Sequence, residues 1–288
     1  MASTASSAEE ILMGTIMVGV SESTSGHPAI GWAIRHARRR GDTVELVHVV
    51  DITWTTIPVD WAESALLAAE EAVRGEAQRA SLIDPSVAVH SVVLIGSPTR
   101  LLAEHAASAD LLVVGTHSRR AASEILLGSQ ATRIAAAATC PVAVIPAAGQ
   151  EGTGIVVGVD GSEASAAAVA FAAAEADRYG EPLTAIYAWS APEPWGMGES
   201  AWPTSPVEED RRILAEAVAG LADQYPDLKV TAEVVGGRPL PALYAASVGA
   251  RMLVVGTHGK HGFSKALLGS VSEDLVLSLP CPVVVVRT

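Results

Sequence analysis

The sequence predicts an α/β protein of two tandem domains, each built on a doubly wound, five-stranded parallel sheet with strand order 3-2-1-4-5. Short, nearly continuous apolar runs alternate with alanine-rich stretches of helical periodicity, and the whole series occurs twice in 288 residues. Near-continuous apolar strands are typical of a parallel sheet covered by helices on both faces. Right-handed crossovers between such strands produce the doubly wound arrangement.

Repeated segments divide the chain into two units. The run LLVVGTH at 111–117 returns as MLVVGTH at 252–258, and TCPVAVIP at 139–146 returns as PCPVVVVR at 280–287, each 141 residues later. Two copies are too few for a solenoid, and each copy is long enough to fold as a domain. We expect a flexible leader followed by two domains, at 1–12, 13–147 and 148–288.

Each unit is predicted to contain five strands in the same order. The strands of the first unit are TIMVGV, TVELVHVV, VAVHSVVL, LLVVGT and PVAVIP. Those of the second unit are GIVVGV, LTAIYAW, KVTAEVV, MLVVGT and PVVVVR. The helices of the second unit are predicted at 163–179, 207–224, 239–249 and 270–279.

Composition excludes several classes of protein. The net charge of −13 disfavours nucleic-acid binding, because an acidic surface repels phosphate backbones. No apolar run reaches the roughly 18–20 residues that span a bilayer, and the N-terminal segment lacks the pattern of a signal peptide. We expect a cytoplasmic protein that does not bind membranes.

Three further features receive structural interpretations. The basic run Arg35–Arg40 is expected at the solvated end of a helix. Cys140 and Cys281 occupy equivalent places in the repeat, without a CxxC pair or clustered ligands, and are expected to be buried structural residues. Tryptophan-bearing loops at 51–63 and 191–206 are interpreted as packing on a neighbouring surface or, alternatively, as a lid over a site.

A ligand site is predicted at the switch point of each sheet. Doubly wound sheets bind ligands beyond the carboxyl ends of their strands where the strand order reverses, here between strands 1 and 4. In the second unit, strand 1 ends at Asp160 and strand 4 ends at Gly256. The loop that follows strand 4 therefore starts where a ligand is expected.

That loop has the composition of an anion cradle. Gly256 is expected to let a ligand approach the backbone, and Gly259 to adopt a positive φ that turns amide groups inward. Gly269 and Ser270 open the last helix, whose free N–H groups attract anions. Positive charge is available from residues in between, which are Lys260, His261 and Lys265.

Simpler interpretations stay open for the same residues. The glycines could form an ordinary loop with Ser270 as an N-cap, and Asp160 could cap the helix after strand 1 instead of contacting a ligand. His258 and His261 form an HxxH pair, but in a glycine-rich loop and not on a helix face. The motif is neither GxxxxGK[ST] nor GxGxxG.

Over almost its whole length the chain resembles the universal stress protein family in its tandem form. The resemblance is carried by VVGVDGS, VVGTHGKHGFSKALLGSV and CPVVVV. It implies a Rossmann-like, adenine nucleotide alpha hydrolase-like fold and a G-x2-G-x9-G-[ST] motif for ATP, matched by Gly256, Gly259, Gly269 and Ser270. It also implies that Asp160 contacts the nucleoside and that backbone near Ala188 lines the adenine pocket. Residues expected beside the phosphate loop are Val255, Thr257, His258 and Val271.

The first unit departs from this motif at two positions. Ser21 replaces the aspartate and Ser118 replaces the second glycine. A Cβ at Ser118 disfavours a left-handed turn by about 1–2 kcal/mol, so we expect a weaker or empty site there, despite Arg119 and Arg120 nearby. The residues of this weaker site are Val49, Gly115, His117, Gly128 and Ser129.

These features favour a nucleotide-dependent regulatory or stress-response protein that binds ATP, with or without Mg²⁺, and has no dedicated catalytic machinery. The alternatives are a slow ATPase or other ATP-using enzyme of the same fold, a flavodoxin-like flavin binder, and an interaction scaffold. No metal site is expected. The resemblance further implies that the last strands of the two units pair within the chain, and we expect two chains to form a homodimer.

Overall fold

Strands and helices alternate along the computed structural model, which describes residues 13–21, 27–51, 59–116, 129–148, 152–189, 208–259 and 267–288. The first unit contains β1 (Thr15–Val20), α1 (His27–Arg40), β2 (Thr43–Val50), α2 (Val59–Ile83), β3 (Val89–Ile95), α3 (Pro98–His105), β4 (Leu111–Gly115), α4 (Ser129–Ala137) and β5 (Val142–Ile145). The second contains β6 (Ile155–Val159), α5 (Glu163–Tyr179), β7 (Leu183–Trp189), α6 (Glu208–Val218), α7 (Leu221–Gln224), β8 (Val230–Gly236), α8 (Pro239–Ser247), β9 (Met252–Gly256), α9 (Ser270–Ser278) and β10 (Val283–Val286).

The ten strands form one sheet of order β3-β2-β1-β4-β5-β10-β9-β6-β7-β8. Each half has the predicted order 3-2-1-4-5, which confirms the fold class. The single helix predicted at 207–224 is instead the pair α6 and α7. Gly220 separates them with a φ of +79°, a left-handed conformation that interrupts a right-handed helix.

The two halves meet at their last strands. β5 and β10 pair antiparallel, with Val283 opposite Val144 and Val285 opposite Val142, and their side chains are buried. This is the intramolecular pairing that the resemblance implied. Each strand covers an apolar edge that would otherwise be open to aggregation.

Helices cover both faces of the sheet. The core on one face is built with α1, α2, α5 and α6, and the core on the other with α3, α4, α8 and α9. Successive residues of β1 belong to different cores. Ile16 and Val18 are part of the first core, and Met17 is part of the second. Among the described helices, none combines the length and the apolar character needed to cross a bilayer.

The prediction of structural cysteines is confirmed for both residues. Cys140 and Cys281 are free thiols buried in the core. Burial raises the pKa of Cys281 to about 12. The thiol therefore stays protonated and unreactive near neutral pH.

The expectation of a solvated basic run is wrong for part of α1. His36 is 0% exposed and stacks on Trp32, and Arg40 donates to Glu175 of α5 across the two units at 2.8 Å. The side chain of Arg40 is only 18% exposed. Its partner lies 135 residues away, so local sequence gave no sign of this contact.

Candidate functional site

A cleft of about 480 Å³ opens at the carboxyl ends of β6 and β9, which is the switch point predicted for the second unit. Nine of the ten residues predicted there line it, namely Asp160, Ala188, Val255, Gly256, His258, Gly259, Gly269, Ser270 and Val271. The tenth, Thr257, is 2% exposed and lies beneath the cleft. Its N–H donates to Val286 at 3.0 Å, and its carbonyl accepts from the Gly269 N–H at 2.7 Å. Thr257 therefore closes the base of the loop.

Several lining residues were missed by the sequence reasoning. The apolar wall includes Ile186 of β7 and Leu243 of α8, and polar groups come from Tyr187 and Ser165. Ser165 could have been found, because it occupies the first turn of the helix that follows strand 1. Leu243 could not, because its position depends on how α8 packs against the sheet.

Asp160 does not cap α5. The N-cap is Ser162, whose hydroxyl oxygen accepts from the Ser165 N–H at 3.1 Å. Asp160 Oδ1 instead accepts from the Ser162 N–H at 2.9 Å and from its hydroxyl at 2.6 Å. The capping alternative for Asp160 is therefore wrong, and its carboxylate is fixed at the edge of the cleft.

The predicted positive φ of Gly259 is also wrong. The backbone of Gly259 lies outside the left-handed region. A Cβ built there would lie 2.5 Å from Asp160 Oδ2, far inside normal contact distance. The missing side chain makes room for a carboxylate and does not serve an unusual turn.

Gly256 has a packing role that the sequence did not predict. Its Cβ would lie 2.7 Å from the carbonyl carbon of Ala164, in the first turn of α5. Gly256 therefore permits close packing of a helix against β9. It also lines the cleft, and its expected role in ligand approach stays a prediction. At the equivalent Gly115, the nearest atom is Ala29 Cβ at 3.4 Å.

The first turn of α9 borders the cleft. Gly269 is the N-cap, with φ −65° and ψ 150° and no side-chain capping bond, so the alternative in which Ser270 is the N-cap is wrong. Ser270, Val271 and Ser272 begin the helix and line the cleft. N–H groups at such positions have no partner within the helix and attract anions.

Tyr187 adds a polar side chain to the lining of the cleft. Burial, a hydrogen bond with Asp210 and the nearby carboxylates of Asp210, Asp160 and Glu209 raise the pKa of Tyr187 to about 12. The phenol is therefore neutral at physiological pH. Together with the nearby Asp160 it brings hydrogen-bond acceptors to the cleft.

His258 contributes a buried nitrogen to the loop. Its carbonyl oxygen lies 3.3 Å from the Ser162 hydroxyl, whose single hydrogen goes to the closer Asp160 Oδ1 at 2.6 Å. This contact places the loop beside the start of α5. Its Nε2 is buried and has no hydrogen-bond partner among the described residues. A buried polar atom without a partner is costly, and a ligand in the cleft could supply one.

Other predicted residues lie outside the described part of the chain. They are Lys260, His261, Lys265, His117, Ser118, Arg119, Arg120 and Gly128, together with most of the two tryptophan loops. In the first unit, Val49 lies near the end of β2, Gly115 ends β4 and Ser129 begins α4. Within the residues described, no group of three or more His, Cys, Asp or Glu side chains could hold a metal ion.

Comparison with known proteins gives consistent matches over both units. The model of the universal stress protein family matches residues 13–146 and 153–287. Universal stress protein Rv1996 of Mycobacterium tuberculosis is 34% identical, covering 98% of this chain and 97% of its own. Universal stress protein Rv2005c of the same organism is 33% identical, covering 94% and 96%.

A solved structure shares the fold over the same extent. A universal stress protein from Archaeoglobus fulgidus superposes with a TM-score of 0.72 at 18% identity, covering 95% of this chain and 96% of that one. The family model and the two relatives cover nearly every residue of both units. The chain therefore belongs to the universal stress protein family and carries two such domains in tandem.

Proposed function

We propose that this chain is a regulatory or stress-response protein that binds ATP in the cleft of its second unit and has no dedicated catalytic machinery. The observation that carries the proposal is the convergence of three elements on one cleft. An apolar slot, a fixed carboxylate and the N-terminus of α9 border the same space. These are the parts that recognise a base, a sugar and phosphates.

The apolar slot suits a flat base. Ile186, Leu243 and Val255 line one part of the cleft beside the backbone of Ala188. A volume of about 480 Å³ falls within the range of small-ligand pockets. Asp160 and Tyr187 line the same cleft and lie near each other, and their acceptor oxygens favour the hydroxyl groups of a ribose.

The N-terminus of α9 suits the phosphates. Its first amides and the Ser270 hydroxyl are donors, and the helix dipole favours negative charge. Asp160 is the only carboxylate among the described residues that line the cleft, and it is already bonded to Ser162. We therefore assign Mg²⁺, when it accompanies ATP, mainly to phosphate oxygens.

The test is chemical identification of the nucleotide released when the purified protein is denatured, with Ser270→Asp as the variant. Aspartate at the first position of a helix is compatible with the fold, since the helix dipole stabilises it by about 0.3–1 kcal/mol. A carboxylate beside bound phosphates repels them by several kcal/mol at about 4 Å. We expect the wild type to release ATP and the variant to retain less than about a tenth of it.

The control is Ser129→Asp, at the start of α4 in the first unit. We expect this variant to retain the nucleotide content of the wild type. Release of a flavin, or equal ATP content in Ser270→Asp and the wild type, would contradict the proposal. Stoichiometric conversion of bound ATP to ADP within minutes would contradict its non-catalytic part. A cytoplasmic location and association into homodimers stay predictions.

A further inference from the structure

We infer that Asp160 and Gly259 are one coupled positioning pair, in which the glycine is required only because of where the aspartate lies. The inference deepens the proposed function, since this carboxylate borders the cleft assigned to ATP. In this inference Gly259 leaves room for the Asp160 carboxylate, and it has no direct role in binding phosphate.

The carboxylate is held firmly on one side. Asp160 Oδ1 accepts two hydrogen bonds from Ser162, at 2.9 Å and 2.6 Å. The Ser162 hydroxyl is itself fixed by the Ser165 N–H at 3.1 Å, as the N-cap of α5. Asp160 cannot turn away without breaking the bonds that organise the start of this helix.

The other oxygen faces Gly259. A Cβ at that glycine would lie 2.5 Å from Asp160 Oδ2 and 3.8 Å from Cγ, and among the described residues it would meet no other atom within 4 Å. The loop cannot easily retreat, because Thr257, two residues before Gly259, is held by backbone hydrogen bonds with Val286 at 3.0 Å and with Gly269 at 2.7 Å. A side chain at 259 must therefore displace the carboxylate.

Backbone conformation does not explain the glycine. The φ of Gly259 lies outside the left-handed region, so an alanine there would not be strained by its dihedral angles. The contact with Asp160 is the one obstacle that the described residues present. Removing Asp160 should therefore remove the requirement for glycine.

The repeat contains the matching exchange. Ser21 is the counterpart of Asp160, and Ser118 is the counterpart of Gly259. Serine at position 21 has no atom that corresponds to Asp160 Oδ2, which is the atom that a Cβ at position 259 would contact in the second unit. The first unit changes both members of the pair, as expected if either change alone were unfavourable.

A double-mutant cycle tests the coupling in the full chain. ATP affinity is measured by calorimetric titration for the wild type, Gly259→Ala, Asp160→Ser and the double variant. We expect Gly259→Ala to weaken binding at least about tenfold in the wild-type background and less than about twofold in the Asp160→Ser background. Equal losses in both backgrounds, or no loss in either, would overturn the inference.

Thermal unfolding of the same four proteins without nucleotide separates this inference from the proposed function. If the wild type does not bind ATP, the proposed function fails. The unfolding midpoints of the four proteins still measure the coupling between Asp160 and Gly259. We expect Gly259→Ala to lower the midpoint only when Asp160 is present. An equal shift in both backgrounds would show that the glycine acts independently of the aspartate.

Discussion

Single glycines determine how closely the elements around the cleft approach one another. Gly256 lies against the first turn of α5, Gly259 against Asp160, and Gly158 against Leu243, whose Cδ1 would be 3.2 Å from an added Cβ. None of these three has a left-handed backbone. Their common property is the absence of a side chain in a crowded place.

Gly256→Ala should destabilise the fold, and Gly115→Ala provides the matched control. The added Cβ would lie 2.7 Å from Ala164 in the first case and 3.4 Å from Ala29 in the second. Overpacking of this kind costs about 1–3 kcal/mol, so we expect that loss for Gly256→Ala and a smaller one for Gly115→Ala. Urea unfolding of both variants measures the difference. A larger loss for Gly115→Ala would refute the packing role of Gly256.

The sequence predicted which residues border the cleft better than it predicted why they are there. Gly259 lines the cleft as expected, but its role was assigned to a positive φ that the structure does not show. Backbone dihedrals can be inferred from a glycine in a loop, whereas contacts with a side chain about a hundred residues away cannot. Tyr187 was missed for the same reason, because its significance depends on Asp210 and Asp160.

Helices α1 and α5 form a polar contact between the two units. His36 Nδ1 lies 2.9 Å from the Tyr179 hydroxyl, and Arg40 donates to Glu175 at 2.8 Å. His36 and Glu175 occupy equivalent positions of the repeat, as do Arg40 and Tyr179, each pair 139 residues apart. The two hydrogen bonds are therefore the same contact made twice about a local two-fold relation.

Burial shifts the pKa values of His36 and Glu175 in this contact. Burial, followed by the positive charges of Arg40, Arg178 and Arg251, lowers the pKa of His36 well below its ordinary value. Burial raises the pKa of Glu175, while Arg178 and Arg40 oppose that shift. The histidine is neutral in the folded protein near neutral pH, so the attraction across the units comes from Arg40 and Glu175.

Glu175→Gln should therefore weaken the packing of the two units. The side chain of Glu175 is 1% exposed and interacts with both Arg40 and Arg178. Breaking a buried ion pair costs roughly 3 kcal/mol or more, and we expect a loss of that order in the free energy of unfolding. Urea denaturation followed by tryptophan fluorescence measures it.

The control for this variant is Glu216→Gln. Glu216 also pairs with an arginine, Arg212, but its side chain is 62% exposed. Exposed ion pairs contribute less than about 1 kcal/mol. Similar small losses in both variants would show that Glu175 does not stabilise the contact between the units.

The whole molecule is a single sheet whose two halves share a fold but differ in their site residues. The doubly wound parallel sheet of each half followed from the repeat and from apolar patterning, because burial leaves a periodic trace in sequence. The pairing of the last strands was implied by the family resemblance. The contact between α1 and α5 left no such trace, since its charged residues resemble ordinary surface residues. The asymmetry of the two sites was visible from the sequence, where Ser21 and Ser118 interrupt one copy of the motif.

Calorimetric titration of nucleotide-free protein with ATP tests the central claim most directly, because it counts sites as well as detecting them. With an intact motif only in the second unit, we expect one ATP per chain, and the same stoichiometry in Ser129→Asp. Ser270→Asp should abolish that binding. Absence of binding by the wild type, or one ATP per chain bound with unchanged affinity by Ser270→Asp, would contradict a nucleotide site at the N-terminus of α9.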